Sequence, residues 1–110
     1  NKLDFPRDKE IKLKVFFNLT KCLNLMEQYE ESIRYSDKGI KMAINLNTLY
    51  LLGELYYLKA SNLLKLKHPN EEAVVNNMKK ALFIFELTEK EHYIQMIKDK
   101  LIEIQNKKQS

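Results

Sequence analysis

The side chains with the greatest chemical reach in this sequence are few and scattered. Cys22 is the single cysteine, so no internal disulfide can form, which suits a reducing cytoplasm. It lies between apolar neighbours on a predicted helix, with no His or Asp beside it, a setting that predicts a buried and inert thiol. His68 falls in a turn and His92 has no second ligand at metal spacing, so neither is assigned to a metal or to catalysis. No glycine-rich phosphate loop, no nucleophile with its base and no ligand cluster is present. The chemistry on offer is therefore binding, with no enzyme activity and no cofactor. The net charge of +4 comes from lysines interspersed with glutamates and aspartates, not from a basic stripe interleaved with aromatics, so it describes a solvated surface. Tyr56 and Tyr57 read as packing between helices rather than as ligand stackers.

The elements that must hold these side chains are helices. A chain of 110 residues forms one domain, and 45% hydrophobic with 31% charged residues is enough for a core and a solvated surface. Two glycines and two prolines suit long helices with short turns, an all-α chain. No apolar run approaches the roughly 18 residues that a membrane helix requires. No signal peptide opens the sequence. A start at Asn1 rather than Met suggests a C-terminal fragment of a longer protein. The stretch Leu49–Leu66 is the central helix: Leu52, Leu55, Tyr56, Leu63 and Leu66 fall near one stripe, with Leu51, Leu58 and Leu64 on its flanks. So broad an apolar surface has to be covered from several directions. Gly53 and Ala60 lie on one side of it, where a neighbour can come close.

Around that helix the sequence predicts five antiparallel helices near 7–26, 30–45, 48–67, 70–86 and 89–106. Asp4-Phe5-Pro6 reads as the first start signal, and Ile11, Val15, Leu19, Leu23 and Met26 as the buried face. The second helix carries a row of small residues, Ser32, Ser36, Gly39 and Ala43, beside Ile33, Ile40 and Ile44, which predicts a close helix contact. Asn47 or Thr48 is expected to cap the third helix, and Asn70, after the breaker Pro69, the fourth. Asn76 and Asn77 are expected to face water or the adjoining repeat. The Phe83 and Phe85 cluster is expected in the core, with part of it open to a dimer contact. Thr88 and Glu91 match a capping box opening the fifth helix, whose seam of Ile94, Ile97, Leu101 and Ile104 packs on the fourth, before the chain frays over Asn106–Ser110.

Two segments repeat. The run from Leu23 through Glu30-Glu31-Ser32-Ile33 aligns with that from Leu63 through Glu71-Glu72-Ala73-Val74, at offsets of 40 and 41. Phe16-Phe17, Leu19 and Thr20 match Tyr56-Tyr57, Lys59 and Ala60. This order resembles the tetratricopeptide repeat, with a period longer than the usual 34. It implies a right-handed superhelical stack of two hairpins, residues 7–45 and 48–86, closed by a capping helix at 89–106. The segments Leu-Gly-Glu-Leu-Tyr-Tyr-x-Lys-Ala and Lys-Lys-Ala-Leu-Phe-x-Phe-Glu-Leu narrow the likeness. They are similar to the C-terminal repeats of the Gram-positive quorum-sensing regulators of the Rap, Rgg, NprR, PlcR and PrgX kind, nearest the PlcR-like branch.

That resemblance implies a cytoplasmic transcription regulator that binds a short signalling peptide in the groove of its first helices, contacts DNA only through a helix-turn-helix domain outside this sequence, and forms a homodimer at full length. It places Asn18 at a groove asparagine, Glu54 where relatives have glutamine, and Tyr93 at a groove tyrosine. An amide donates to a peptide C=O and accepts from its N–H. The Glu54 departure retains only the acceptor and favours an N–H group or a positive charge. Lys14 and Lys21, a turn either side of Asn18, are placed to meet a carboxylate. The alternative reading is a protein-interaction scaffold without a signalling peptide.

Overall fold

The computed structural model describes residues 6–109, with the side chains of 8–107. Five helices follow one another: α1 (Pro6–Leu25), α2 (Tyr29–Asn45), α3 (Leu52–Leu64), α4 (Glu71–Leu87) and α5 (Glu91–Gln109). Each packs on the next, and α1 also meets α3. Among the described residues there is no strand. Of the expected start signal, Asp4 and Phe5 lie outside the described residues, and Pro6 is the first helical residue.

Two apolar cores meet at α3. One joins Leu13 of α1, Ile40 and Ala43 of α2, and Leu52 and Leu55 of α3 to Ile84 of α4. The other joins Ala60 of α3, Val74, Met78, Ala81 and Phe85 of α4, and Ile94, Ile97 and Ile104 of α5, with Tyr56 packed against both. The α5 seam thus packs on α4 as its spacing predicts, leaving Lys98, Asp99 and Glu103 exposed. The small residues have the expected use. A Cβ on Gly39 would stand 2.9 Å from Leu55 Cδ1 and 3.5 Å from Phe16 Cβ, and one on Gly53 would stand 2.9 Å from Phe85 Cε1. Both glycines therefore sit where a neighbouring helix presses against bare backbone.

A buried polar chain ties three helices together. Asn62 of α3, fully buried, accepts from Asn24 Nδ2 of α1 at 2.7 Å and donates to Ser32 Oγ of α2 at 2.7 Å. Ser32 donates in turn to the Thr20 carbonyl of α1, and the Thr20 hydroxyl to the Phe16 carbonyl. Lys59, at the position that Leu19 holds in the first repeat, forms an ion pair with Asp37 of α2 at 2.7 Å.

Several expectations are overturned. The buried face of α1 is Leu13 and Thr20 with half-buried Phe16 and Phe17, whereas Ile11, Val15, Leu19 and Met26 are exposed and Leu23 is half-buried. Two apolar stripes compete on this helix. The one with Thr20 wins because α2 packs on it, with Phe16 in van der Waals reach of Gly39 and Ser32 donating to the Thr20 carbonyl. Cys22, on the other side, is exposed rather than buried. Ile44 is exposed too, whereas the Phe83 and Phe85 pair divides within the expectation, Phe85 fully buried and Phe83 open. Asn77, next to exposed Asn76, is buried and donates to the Ala73 carbonyl.

The turns follow one scheme that also corrects two caps. Glu27, Asn47 and Glu89 adopt positive φ of 60°, 53° and 56°. The next N–H in each case reaches back five residues, from Gln28 to Leu23, Thr48 to Ala43 and Lys90 to Phe85. These are Schellman closures of α1, α2 and α4, built without glycine. Thr88 therefore ends α4, its hydroxyl donating to the Ile84 carbonyl at 2.9 Å, and does not cap α5. Likewise the Thr48 hydroxyl accepts from Tyr50 N–H in a local turn. The third helix starts only at Leu52, after Leu51 in a left-handed conformation. Asn70 does cap α4, accepting from Ala73 N–H. The last helix continues to Gln109 instead of fraying from Asn106.

Two predictions test this packing. Gly39→Leu drives a side chain into Leu55 and Phe16 and should cost about 1–3 kcal/mol or more by urea denaturation; a variant as stable as its parent contradicts the close contact. Glu27→Gly removes the penalty of a left-handed non-glycine residue, roughly 1 kcal/mol, and should stabilise more than Asn47→Gly, because asparagine tolerates this conformation. Equal midpoints for both variants and parent would contradict the turn assignment.

Candidate functional site

The first helix of each successive layer contributes to one cleft of about 290 Å³. Phe17 and Lys21 come from α1, Glu54, Tyr57 and Leu58 from α3, and His92, Tyr93 and Met96 from α5. Its floor is set by a relay that begins at a missing side chain. Without a Cβ at Gly53, the Phe85 ring of α4 lies against the α3 backbone. Tyr93 then stacks on Phe85, with ring centroids 4.4 Å apart and planes 8° from parallel. Tyr57 meets Tyr93 edge-on at 6.5 Å, and His92 does so at 5.8 Å. Burial, and to a lesser degree the neighbouring Tyr93, holds the Tyr57 phenol above its ordinary pKa, so it stays a neutral donor.

Glu54, the residue after Gly53, keeps its carboxylate largely buried and pairs with Lys90 Nζ at 3.0 Å. The lysine is placed by the turn closing α4, where its own N–H is bound to the Phe85 carbonyl. An amine about half exposed thus compensates a carboxylate that is 11% exposed. On the opposite wall Lys21 Nζ stands 4.9 Å over the Phe17 ring. The cleft is an aromatic and apolar surface carrying one neutralised carboxylate and one cation. That combination suits an extended ligand with apolar side chains, backbone N–H groups and a carboxylate.

Of the residues singled out in the sequence, Lys21, Glu54 and Tyr93 come together here. Asn18 is exposed on α1, next to Phe17 in sequence but outside the lining. Lys14 lines a different cavity of about 350 Å³, with Glu10, Ile11 and Tyr50. Tyr57, read as a packing residue, packs and lines the cleft at once. Lys90, His92 and Met96 were not assigned to the site. Met96 stands one helical turn after Tyr93, so spacing signals it once Tyr93 is assigned; nothing in the sequence pairs Lys90 with Glu54. Like the cavity at Lys14, two further cavities are larger than the cleft, of about 390 and 460 Å³, at the turns near Glu27–Glu31 and between α4 and α5. Neither draws on α1, α3 and α5 together. Among the described residues no group of three or more His, Cys, Asp or Glu could hold a metal ion, and no helix is long and apolar enough to cross a membrane.

A comparison with curated protein sequences finds no match. Among solved structures, the crystal structure of Bacillus thuringiensis PlcR in complex with the peptide PapR7 and DNA is similar to this chain. The TM-score is 0.77 and the identity 34% over 81% of this chain, which spans only 31% of PlcR. Residues 1–104 match the family described as the RNPP family C-terminal domain. The chain belongs to the RNPP family, as the C-terminal domain of one of its members.

Proposed function

We propose that this chain is the peptide-responsive regulatory part of a cytoplasmic transcription regulator, and that the cleft across α1, α3 and α5 receives a short signalling peptide. The observation that carries this reading is the convergence of Lys21, Glu54, Tyr57 and Tyr93, from three helices, on one surface. The likeness to PlcR, a protein solved with a peptide and with DNA, supports it. Since the chain spans about a third of PlcR, DNA contact belongs to an N-terminal helix-turn-helix domain outside this sequence, and homodimerisation to the full-length protein.

The ion pair refines the part played by Glu54. Lys90 already offsets its charge, so the carboxylate serves as an acceptor for a peptide N–H rather than as a trap for a cation. Lys21 receives a peptide carboxylate. Tyr57 and Tyr93 supply apolar walls, with the Tyr57 hydroxyl as a donor. Asn18 and Lys14 extend the contact along α1, the Asn18 amide bonding the peptide backbone and Lys14 drawing in an acidic residue.

The test is calorimetric titration of the peptide that co-purifies with the full-length protein from its host. Asn18→Ala should weaken binding by about 0.5–1.5 kcal/mol and Lys21→Ala by about 1.5–3, with the melting temperature nearly unchanged, because neither residue is in the core. Glu54→Gln should also weaken binding and release Lys90. Unchanged affinity in all three variants would leave only the scaffold reading. The raised Tyr57 pKa gives a pH test. Its contribution to stability is complete below pH 10, its ordinary value, and is lost as the pH rises through the raised value. Tyr57→Phe should remove the part of the alkaline destabilisation that belongs to this phenol. An identical alkaline unfolding curve for the two proteins would contradict the assignment.

A further inference from the structure

The three segments that build the cleft carry their side chains in register. Lys14, Glu54 and Lys90 stand at intervals of 40 and 36 residues, and Phe17, Tyr57 and Tyr93 at the same two intervals. The cavities follow this register. Tyr50 shares one with Glu10 and Lys14, while Glu54 and Tyr57 share the cleft with Phe17 and Lys21. Within each segment the two sets are three residues apart, less than one helical turn, so they form adjacent rows crossing α1, α3 and the entry to α5. One row is aromatic. Its Tyr57 and Tyr93 rings meet edge-on at 6.5 Å, and Phe17 lines the same cleft. The other row is charged, positive at both ends and negative in the middle.

The middle residue does not stand as a bare negative charge. The Glu54 carboxylate is 11% exposed and is held by Lys90 Nζ at 3.0 Å, whereas the Lys90 side chain is 47% exposed. Enclosing that carboxylate is tolerated because the amine is there to offset it. An ammonium has three donors and Glu54 takes one, so Lys90 still presents positive charge and N–H groups to solvent. Lys14, exposed on α1, and Lys21, 4.9 Å over the Phe17 ring, add two more cations. Glu10, one turn before Lys14, is the other carboxylate beside these rows. Three lysines against two glutamates leave the surface positive.

We infer, taking the cleft as a peptide site, that Lys90 decides which charge the groove accepts, and that its ligand is an anionic peptide with acidic side chains next to apolar or aromatic ones. The apolar side chains lie on the row Phe17, Tyr57 and Tyr93, and the acidic ones reach the lysines beside it. A cationic side chain is rejected on two grounds. Lys14, Lys21 and Lys90 repel it, and Glu54 has already given its charge to Lys90. Removing the Lys90 amine reverses the preference. Glu54 is then a largely buried carboxylate without its partner, and a ligand ammonium recovers that cost. The backbone N–H of Lys90, which closes the turn after α4, is retained in every side-chain variant.

The test presents a synthetic heptapeptide mixture, randomised at every position, to the full-length protein and to its Lys90→Gln, Lys90→Arg and Glu54→Gln/Lys90→Gln variants. Retained peptides are separated from unbound ones by size and sequenced by mass spectrometry. The parent and Lys90→Arg should retain peptides enriched in Asp and Glu over Lys and Arg by roughly three-fold or more. Lys90→Gln should invert that ratio. The double variant should return to a weaker acidic preference, carried by Lys14 and Lys21. A loss of folded protein would lower the amount retained without reversing the sign of the preference, so the readout separates specificity from stability. Peptides retained by the parent without an acidic excess, or with an equal excess in Lys90→Gln, would overturn the inference and leave the peptide site standing. No retained peptide in any of the four proteins would overturn both.

Discussion

The close seating of α3 between its neighbours is the constraint on which the other contacts depend. At 13 residues this helix is short enough to be marginal in isolation, so its stability has to come from packing. On one side Gly39 lets Leu55 sink against the α2 backbone, and on the other Gly53 admits the Phe85 ring. Either glycine lowers intrinsic helix stability by about 1 kcal/mol relative to alanine. The contacts they permit, with Leu55 and Phe85 fully removed from water, each contribute roughly 1.5–3 kcal/mol, which exceeds that cost. Asn62 adds direction to this apolar packing. A fully buried amide is tolerated only when bonded, and its partners on α1 and α2 exist in one arrangement of the three helices.

The candidate site is a by-product of that seating. Placing α3 fixes Glu54 on the side that lines the cleft, and the Phe85 ring lodged at Gly53 gives Tyr93 a surface to stack on. The Schellman turn after α4 returns the chain so that Lys90 reaches Glu54 across 36 positions of sequence. Backbone closure, aromatic stacking and an ion pair thus act in series between an absent Cβ and the wall of a cleft. No residue lining the cleft is itself in a left-handed conformation; the strain lies in the turns, at Glu27, Asn47, Leu51 and Glu89, the last of which places Lys90.

Legibility followed the local physics. The small residues of α2, the Asn70 cap and the isoleucine seam of α5 were readable because each declares itself within one or two helical turns. The buried face of α1 was misjudged because two stripes satisfy the same period, and the choice between them is made by α2, through Ser32 and Gly39. Thr20 and Asn62 are polar yet fully buried, Asn62 through side-chain hydrogen bonds to Asn24 and Ser32 that spacing does not encode. Thr88 and Glu91 satisfy a capping pattern, but the preceding helix takes the threonine first. In the cleft, Glu54, Tyr93 and Lys21 entered through the family resemblance, while Lys90 was hidden because an ion pair across 36 residues leaves no mark in sequence.

The central claim is that α1, α3 and α5 present one ligand surface. Its most direct test is a proton–nitrogen correlation spectrum of the full-length protein titrated with the peptide that co-purifies with it. The account predicts that the amides of Lys21, Glu54, Tyr57 and Tyr93 shift together at one saturation point, with the exposed faces of α2 and α4 unaffected. Shifts confined to α2 and α4, or separate saturation of the residues on α1 and on α5, would contradict it.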